Sequence, residues 1–271
     1  MNGSSIGIMD SGIGGLTVHN HIKALLPRER LIYVADTVYC PYGTKTVEAI
    51  RHRCKVITRF LLDQNCKIIV IACNTATAAA IETLRETFRD TLIVGMEPAV
   101  KPAVLHTQSG IVGVLATKGT FKGSLYHRTL ATFAGQVHVL EQVGEGWVEA
   151  VERGAFDTPE TEEMVRKTIK PMLDAGVDHL VLGCTHYPFL VPVIRRIAGS
   201  GVVIVDPAPA VARRVASLLS EKGWLAGDDS KTGEDLYYSS CKDTSVLPSA
   251  VPNTAKGGII NWRPYTFENM S

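Results

Sequence analysis

The 271-residue chain lacks an excess of either charge: 28 basic side chains against 27 acidic ones leave a net charge of +1. That balance removes the electrostatic footprint of a nucleic-acid binder or of a protein held on an anionic membrane. No run approaches the ~20 consecutive apolar residues that a membrane-spanning helix needs. The start, MNGSSIGIMDSG, has no basic opening and no long apolar stretch, so it does not read as a signal peptide. Cysteine is sparse, with six residues at 40, 54, 66, 73, 184 and 241 and no C-x-x-C among them. A chain this long needs no disulfides, so the thiols read as reduced and the protein as cytoplasmic. Aromatic residues make up only 7%, but 45% of the chain is hydrophobic and 20% charged, which excludes disorder and supplies ample core. The length fits one large domain or two of ~100–150 residues.

Short apolar runs do recur, at about 5–9, 31–35, 67–72, 91–95, 110–116, 137–143, 179–183, 202–206 and 236–240. They are continuous rather than alternating, as expected for strands covered on both faces of a mostly parallel sheet. Helical patterns lie between them. From Thr44 to Asp63 the apolar residues Val47, Ile50, Cys54, Ile57 and Leu61 fall at alternating steps of three and four, one helical face, which makes Cys54 a core residue. Asp157-Thr158-Pro159 followed by Glu160, Glu162 and Glu163 reads as a helix start. Further helices are predicted at 16–26, 76–89, 121–133, 189–198 and 208–222. Beyond about residue 226 the composition shifts toward Gly, Ser, Asp, Pro and Asn, and 242–271 reads as an irregular tail. Trp262, Tyr265 and Phe267 argue that part of this tail docks on the body.

A weak internal repeat is present. KIIVIACNTATAAA at 67–80 and HLVLGCTHYPFL at 179–190 share an apolar strand, a small residue, Cys and a Thr-containing turn. IGIMDSGIGG at 6–15 and VGVLATKGTF at 112–121 share a strand, a polar residue and a Gly turn. Two related α/β halves explain both pairs, with chance likeness among strand ends as the alternative.

Ligands of open parallel sheets bind beyond the carboxyl ends of the strands, so the polar residues there carry the functional reading. Asp10-Ser11-Gly12-Ile13-Gly14-Gly15 follows the first strand, but Thr17 breaks a dinucleotide fingerprint and the Lys of a P-loop is missing. A carboxylate there would repel phosphate. Asp10 suits an ammonium group or proton handling, or else caps the helix. Cys73-Asn74-Thr75 enters an Ala-rich helix whose N-terminal amides are expected to lower the thiol pKa from ~8.5 toward neutrality. A buried inert cysteine is the competing reading. Cys184-Thr185-His186-Tyr187-Pro188 repeats the arrangement, with His186 placed to orient the thiol or relay its protons. Zinc competes for a Cys and a His, but no second ligand pair stands at a typical spacing, so no metal is predicted. Two thiols at equivalent strand ends of facing halves suit inversion of a stereocentre, with one base on each face of the reacting carbon.

These residues resemble the glutamate racemases of the aspartate/glutamate racemase superfamily. The matching segments are DSGIGGLTV (10–18), YVADTVYCPYG (33–43), ACNTA (72–76), GVLATKGT (113–120) and GCTHYP (183–188), in order through about residues 5–223. The resemblance implies a cofactor-independent enzyme that supplies D-glutamate for bacterial peptidoglycan. It implies two pseudo-symmetric, doubly wound α/β domains with mostly parallel sheets and the substrate in the cleft between them. On that template, 1–98 with 207–241 form the first domain and 99–206 the second. Cys73 and Cys184 match the catalytic thiols, with Asp10 and His186 as catalytic partners. Asp10, Ser11, Tyr42, Gly43, Asn74, Thr75, Thr117, Thr185 and His186 fall on substrate-contact positions. Asp36 and Glu152 fall where the family carries further acidic residues. Cys40 has no family role and reads as a bystander. A homodimer is typical of the family, and the implied ligand is a small molecule, neither nucleic acid nor membrane. The alternatives are an aspartate or related racemase, a non-catalytic amino-acid-binding module, or a cysteine hydrolase using one thiol.

Overall fold

The continuous apolar runs become the strands of two parallel sheets in a computed structural model that describes residues 4–227, 233–247 and 260–267. The first half runs β1 (Ser5–Asp10), α1 (Leu16–Leu25), β2 (Leu31–Ala35), α2 (Val47–Asp63), β3 (Cys66–Ile71), α3 (Asn74–Thr87) and β4 (Leu92–Gly95), and α4 (Val100–His106), packed on the second sheet, leads into the other half. The second runs β5 (Ile111–Ala116), α5 (Lys118–Phe121), α6 (Ser124–Phe133), β6 (His138–Val143), α7 (Trp147–Glu152), α8 (Pro159–Asp174), β7 (His179–Gly183), α9 (Val191–Ala198) and β8 (Val203–Val205). The chain then returns through α10 (Ala208–Glu221), β9 (Leu236–Ser239) and β10 (Trp262–Pro264).

The sheet orders are β10-β9-β2-β1-β3-β4 and β6-β5-β7-β8, with every pairing parallel. Stripped of β9 and β10, the first sheet has the order of the second: β1, β2, β3 and β4 correspond to β5, β6, β7 and β8. The internal repeat is therefore topological, and Cys73 after β3 stands where Cys184 stands after β7. Each order reverses at its central strand pair, and the crevice at that reversal is where doubly wound sheets receive ligands.

Several boundaries differ from the sequence reading for local reasons. The helix α3 starts at Asn74 because the Cys73 sulfur itself accepts the Ala76 N–H at 3.4 Å. The predicted 121–133 helix is two helices, broken at Lys122-Gly123, where a β-carbon on Gly123 would lie 2.6 Å from that of Ala78. The helices α4 and α7 were not predicted. Each is six or seven residues long, too short for periodicity to register. Residues 242–271 are not wholly irregular, since β10 pairs with β9 at the edge of the first sheet. The expected docking holds: Phe267 is buried and its ring centroid lies 5.4 Å from that of Phe60. The rest of that predicted tail, 248–259 and 268–271, lies outside the described residues. Among the described residues no helix is long and apolar enough to cross a membrane.

Candidate active site

The carboxyl ends of the two sheets face one another across a narrow, tightly closed cavity. Its lining holds Ser11, Tyr42, Gly43, Cys73, Asn74, Thr75, Thr117, Cys184, Thr185 and His186, joined by Pro41 and Val148. Pro41, Gly43, Thr117 and Val148 also border a wider outer recess, so the cavity opens on that side. The exposed pair Lys118–Glu145, 2.8 Å apart, stands at the rim of the recess.

Cys73 is 5% exposed and its sulfur lies 3.9 Å from Ser11 Oγ. Here the structure overturns one expectation. Burial pushes the thiol well above its usual range, the charge of Asp10 pushes the same way, and the Ala76 N–H opposes them without prevailing. One helix amide does not offset the loss of water around a thiolate. Asp10 is fully buried; its Oδ2 accepts the Gly15 N–H at 2.8 Å and its Oδ1 accepts the Thr185 hydroxyl at 3.4 Å. Asp10 thus ties down the turn before α1 and reaches the opposite half through Thr185, without itself lining the cavity. Burial raises its pKa, with His186 and the Gly15 amide opposing.

On the other side, Cys184 Sγ lies 3.8 Å from His186 Nδ1, and His186 Nε2 lies 2.6 Å from Glu152 Oε1. Burial alone would lower the imidazole pKa. Hydrogen bonds to Cys184, Cys40 and Glu152, together with the Glu152 charge, instead hold it well above 6.5. Glu152 Oε1 also accepts the Ile13 N–H at 2.7 Å, so the Gly-rich turn of one half grips the acid of the other. The turn can do so because Gly12 and Gly14 carry no side chains. A β-carbon at Gly12 would fall 1.9 Å from Glu152 Oε1, and one at Gly14 would fall 2.5 Å from His186 Nδ1. The glycines of DSGIGG serve close approach between halves rather than a phosphate cradle.

Not every predicted residue lines the cavity. Asp36 lies behind it, accepting Tyr42 OH at 2.6 Å and a two-point contact from Arg53 at 2.9 and 2.7 Å. Its visible work is to fix Tyr42. Arg53 was missed by the sequence reading, although a charge three residues after Ile50 on the buried face of α2 marks it. Thr75 and Thr117 hydroxyls meet across the halves at 2.7 Å. Asn74 donates to Met96 O at 3.4 Å, and its Oδ1 is buried with no protein partner. Cys54 is fully buried, as predicted. Cys40 is not remote: its sulfur stands within 4.8 Å of ligand atoms of both Glu152 and His186, although it lies outside the cavity lining. Its distance from them in sequence hid that placement.

The sequence profile of the Asp/Glu/hydantoin racemase family matches residues 6–215. A glutamate racemase of Roseiflexus sp. (strain RS-1) is 48% identical over 228 residues, covering 84% of each chain. The crystal structure of a glutamate racemase isoform from Bacillus anthracis superposes with a TM-score of 0.86 at 30% identity, over 98% of both chains. That of a glutamate racemase from Francisella tularensis in complex with D-glutamate gives 0.84 at 27% identity, over 99% of both. By fold and kinship the molecule is an enzyme of the amino-acid racemase class. The chain belongs to the Asp/Glu/hydantoin racemase family.

Proposed function

We propose that this enzyme interconverts L- and D-glutamate by two-base proton transfer between Cys73 and Cys184. The observation that carries the reading is the pair of thiols at topologically equivalent strand ends, lining one small cavity from its two sides. Inversion at Cα needs a base that takes the proton from one face and an acid that delivers another from the opposite face. The two sulfurs have unlike surroundings. A thiolate at Cys184 has the His186 imidazolium 3.8 Å away as its counter-charge. Cys73 is held protonated by burial and by Asp10. Cys73 thus starts as the acid, and each turnover exchanges the roles of the two sulfurs. Asp10 and His186 then move protons to and from their neighbouring sulfurs, with Glu152 orienting the imidazole.

The lining supplies recognition of the amino acid. Ser11, Thr75, Thr117 and Thr185 offer hydroxyls, the α3 N-terminus offers amides for a carboxylate, and Asn74 Oδ1 is an acceptor open to an ammonium group. The assignment of glutamate follows the relatives, whose names specify it and one of which binds D-glutamate. We assign the D-glutamate to bacterial peptidoglycan synthesis on the family resemblance. The division into a first domain of 1–98 with 207–241 and a second of 99–206 is supported by β9 joining the first sheet and by α10 packing on α1.

The test is turnover in D2O. Product from L-glutamate should carry deuterium at Cα from the first turnover, while unreacted substrate carries little, because the donating thiol exchanges its proton with water. The same should hold from D-glutamate. Cys73→Ala and Cys184→Ala should each abolish racemisation, while Cys54→Ala keeps it. Product that retains the original α-hydrogen would replace two bases by one mobile base.

A further inference from the structure

Three segments far apart in sequence converge beside the cavity: Cys40 after β2, Glu152 at the end of α7 and His186 after β7. One ligand atom from each lies within 4.8 Å of the other two. Glu152 Oε1 is committed to His186 and Ile13, but Oε2 is buried and has no hydrogen-bond partner. A buried carboxylate oxygen left unpaired is costly, and a cation is the group that satisfies it best. The outer side of the cluster is accessible: Cys40 is half-buried, and the Glu152 side chain keeps 16% exposure.

We propose that Cys40, Glu152 and His186 form an inhibitory site for a borderline-soft divalent cation, of which zinc is the type. Zinc takes sulfur at ~2.3 Å and nitrogen or oxygen at ~2.0–2.2 Å, so tetrahedral geometry sets its ligand atoms about 3.3–3.8 Å apart. The cluster closes onto an ion with side-chain shifts of about an ångström, leaving water as fourth ligand. A thiolate among the donors selects zinc over magnesium or calcium. On binding, Cys40 loses its S–H proton to solvent and the His186–Glu152 pair loses the proton between them. The ion is no cofactor. It takes the imidazole nitrogen that Glu152 now orients, and His186 can then no longer move protons for Cys184. That inhibitory step rests on the proposed two-thiol mechanism, whereas the binding step does not.

The test uses the full chain, freed of metal with EDTA and dialysed, then titrated with Zn²⁺ against a chromophoric chelator. One ion per chain should bind, racemisation should fall as it binds, and EDTA should restore it. With Co²⁺ in place of Zn²⁺, a thiolate-to-cobalt charge-transfer band should appear. Cys40→Ala should lose the cobalt band, weaken zinc binding by more than about tenfold, and need correspondingly more zinc to halve its own zinc-free rate. Cys40→Ser, closer in size, provides a second variant should alanine impair folding. The proposal is overturned if the parent takes up no ion, or if both variants bind and are inhibited at the parent's zinc concentration, which would put the ion on Cys73 and Cys184. A chain that binds zinc through Cys40 but does not racemise glutamate would leave the site standing and sink the proposed function instead.

Discussion

Gly14 is a place where one added carbon changes chemistry without touching the core. Its β-carbon would fall 2.5 Å from His186 Nδ1 and 2.7 Å from Thr185 Oγ1, so Gly14→Ala must displace one or both. A displacement near 1 Å costs about 100-fold in rate. The variant should keep its melting temperature within a few degrees and lose about that much kcat, measured by circular dichroism and by racemisation. The His186–Glu152 pair supplies the pH dependence. The pair raises the folded pKa of His186 above its ordinary ~6.5, so its contribution is complete below about pH 6.5 and is lost as pH climbs through the higher folded value. Glu152→Gln removes the anion. The deficit in stability should therefore be widest below about pH 6.5 and shrink as pH rises above it, read from urea midpoints. A deficit that stays constant across that range would mean the pair carries no charge.

Among the elements, α2 does more than cover the sheet. Thr46 caps it, its hydroxyl accepting the Ala49 N–H at 3.2 Å, and its buried face carries Arg53 inward among apolar residues. Arg53 neutralises Asp36, and Asp36 in turn fixes the Tyr42 hydroxyl at the cavity wall. With side-chain exposures of 7% and 0%, this is a buried pair. Arg53→Met leaves Asp36 charged and unpaired and should cost about 3–5 kcal/mol in denaturant titrations. Adding Asp36→Leu should recover part of that stability while leaving Tyr42 unanchored and substrate binding weakened. Stability lost equally by the single and double variants would show that the packing of Arg53, rather than its charge, matters. The helix α7 is the counterpart on the other half: six residues that bury Trp147 and Val151 and deliver Glu152 to the site.

At the scale of the whole molecule, the largest of three apolar clusters among the described residues runs through both sheets, from Ile6 and Val70 to Leu180 and Leu182. Joined through that shared cluster, the two halves should unfold in one transition, with calorimetric and van't Hoff enthalpies equal. Two resolved transitions would contradict this. The described part of the C-terminal segment belongs to the same unit, since Phe267 packs on Phe60 and its carbonyl accepts from Arg53 at 3.0 Å. Phe267→Ala should cost about 3 kcal/mol and lower the single melting temperature without splitting it. The edge strand β10 ends in Arg263 and Pro264, which discourage pairing with another chain.

Strand positions, the doubled α/β order and the residues of the cavity were legible from the sequence because each depends on local pattern. Continuous apolar runs mark buried parallel strands, and a polar residue just after a strand must sit at the carboxyl edge of its sheet. Asp10, Cys73, Thr117 and Cys184 are all such residues. Tertiary structure decided what these groups are chemically. The Cys73 thiol is pushed up because desolvation of the whole cavity outweighs the one amide that adjacency in sequence supplies. Asp36 turned from the cavity to Arg53, and Cys40 came to stand beside His186. Burial and Coulomb energy depend on distance in space. They could be set only when the two halves closed on one another, which no stretch of sequence contains.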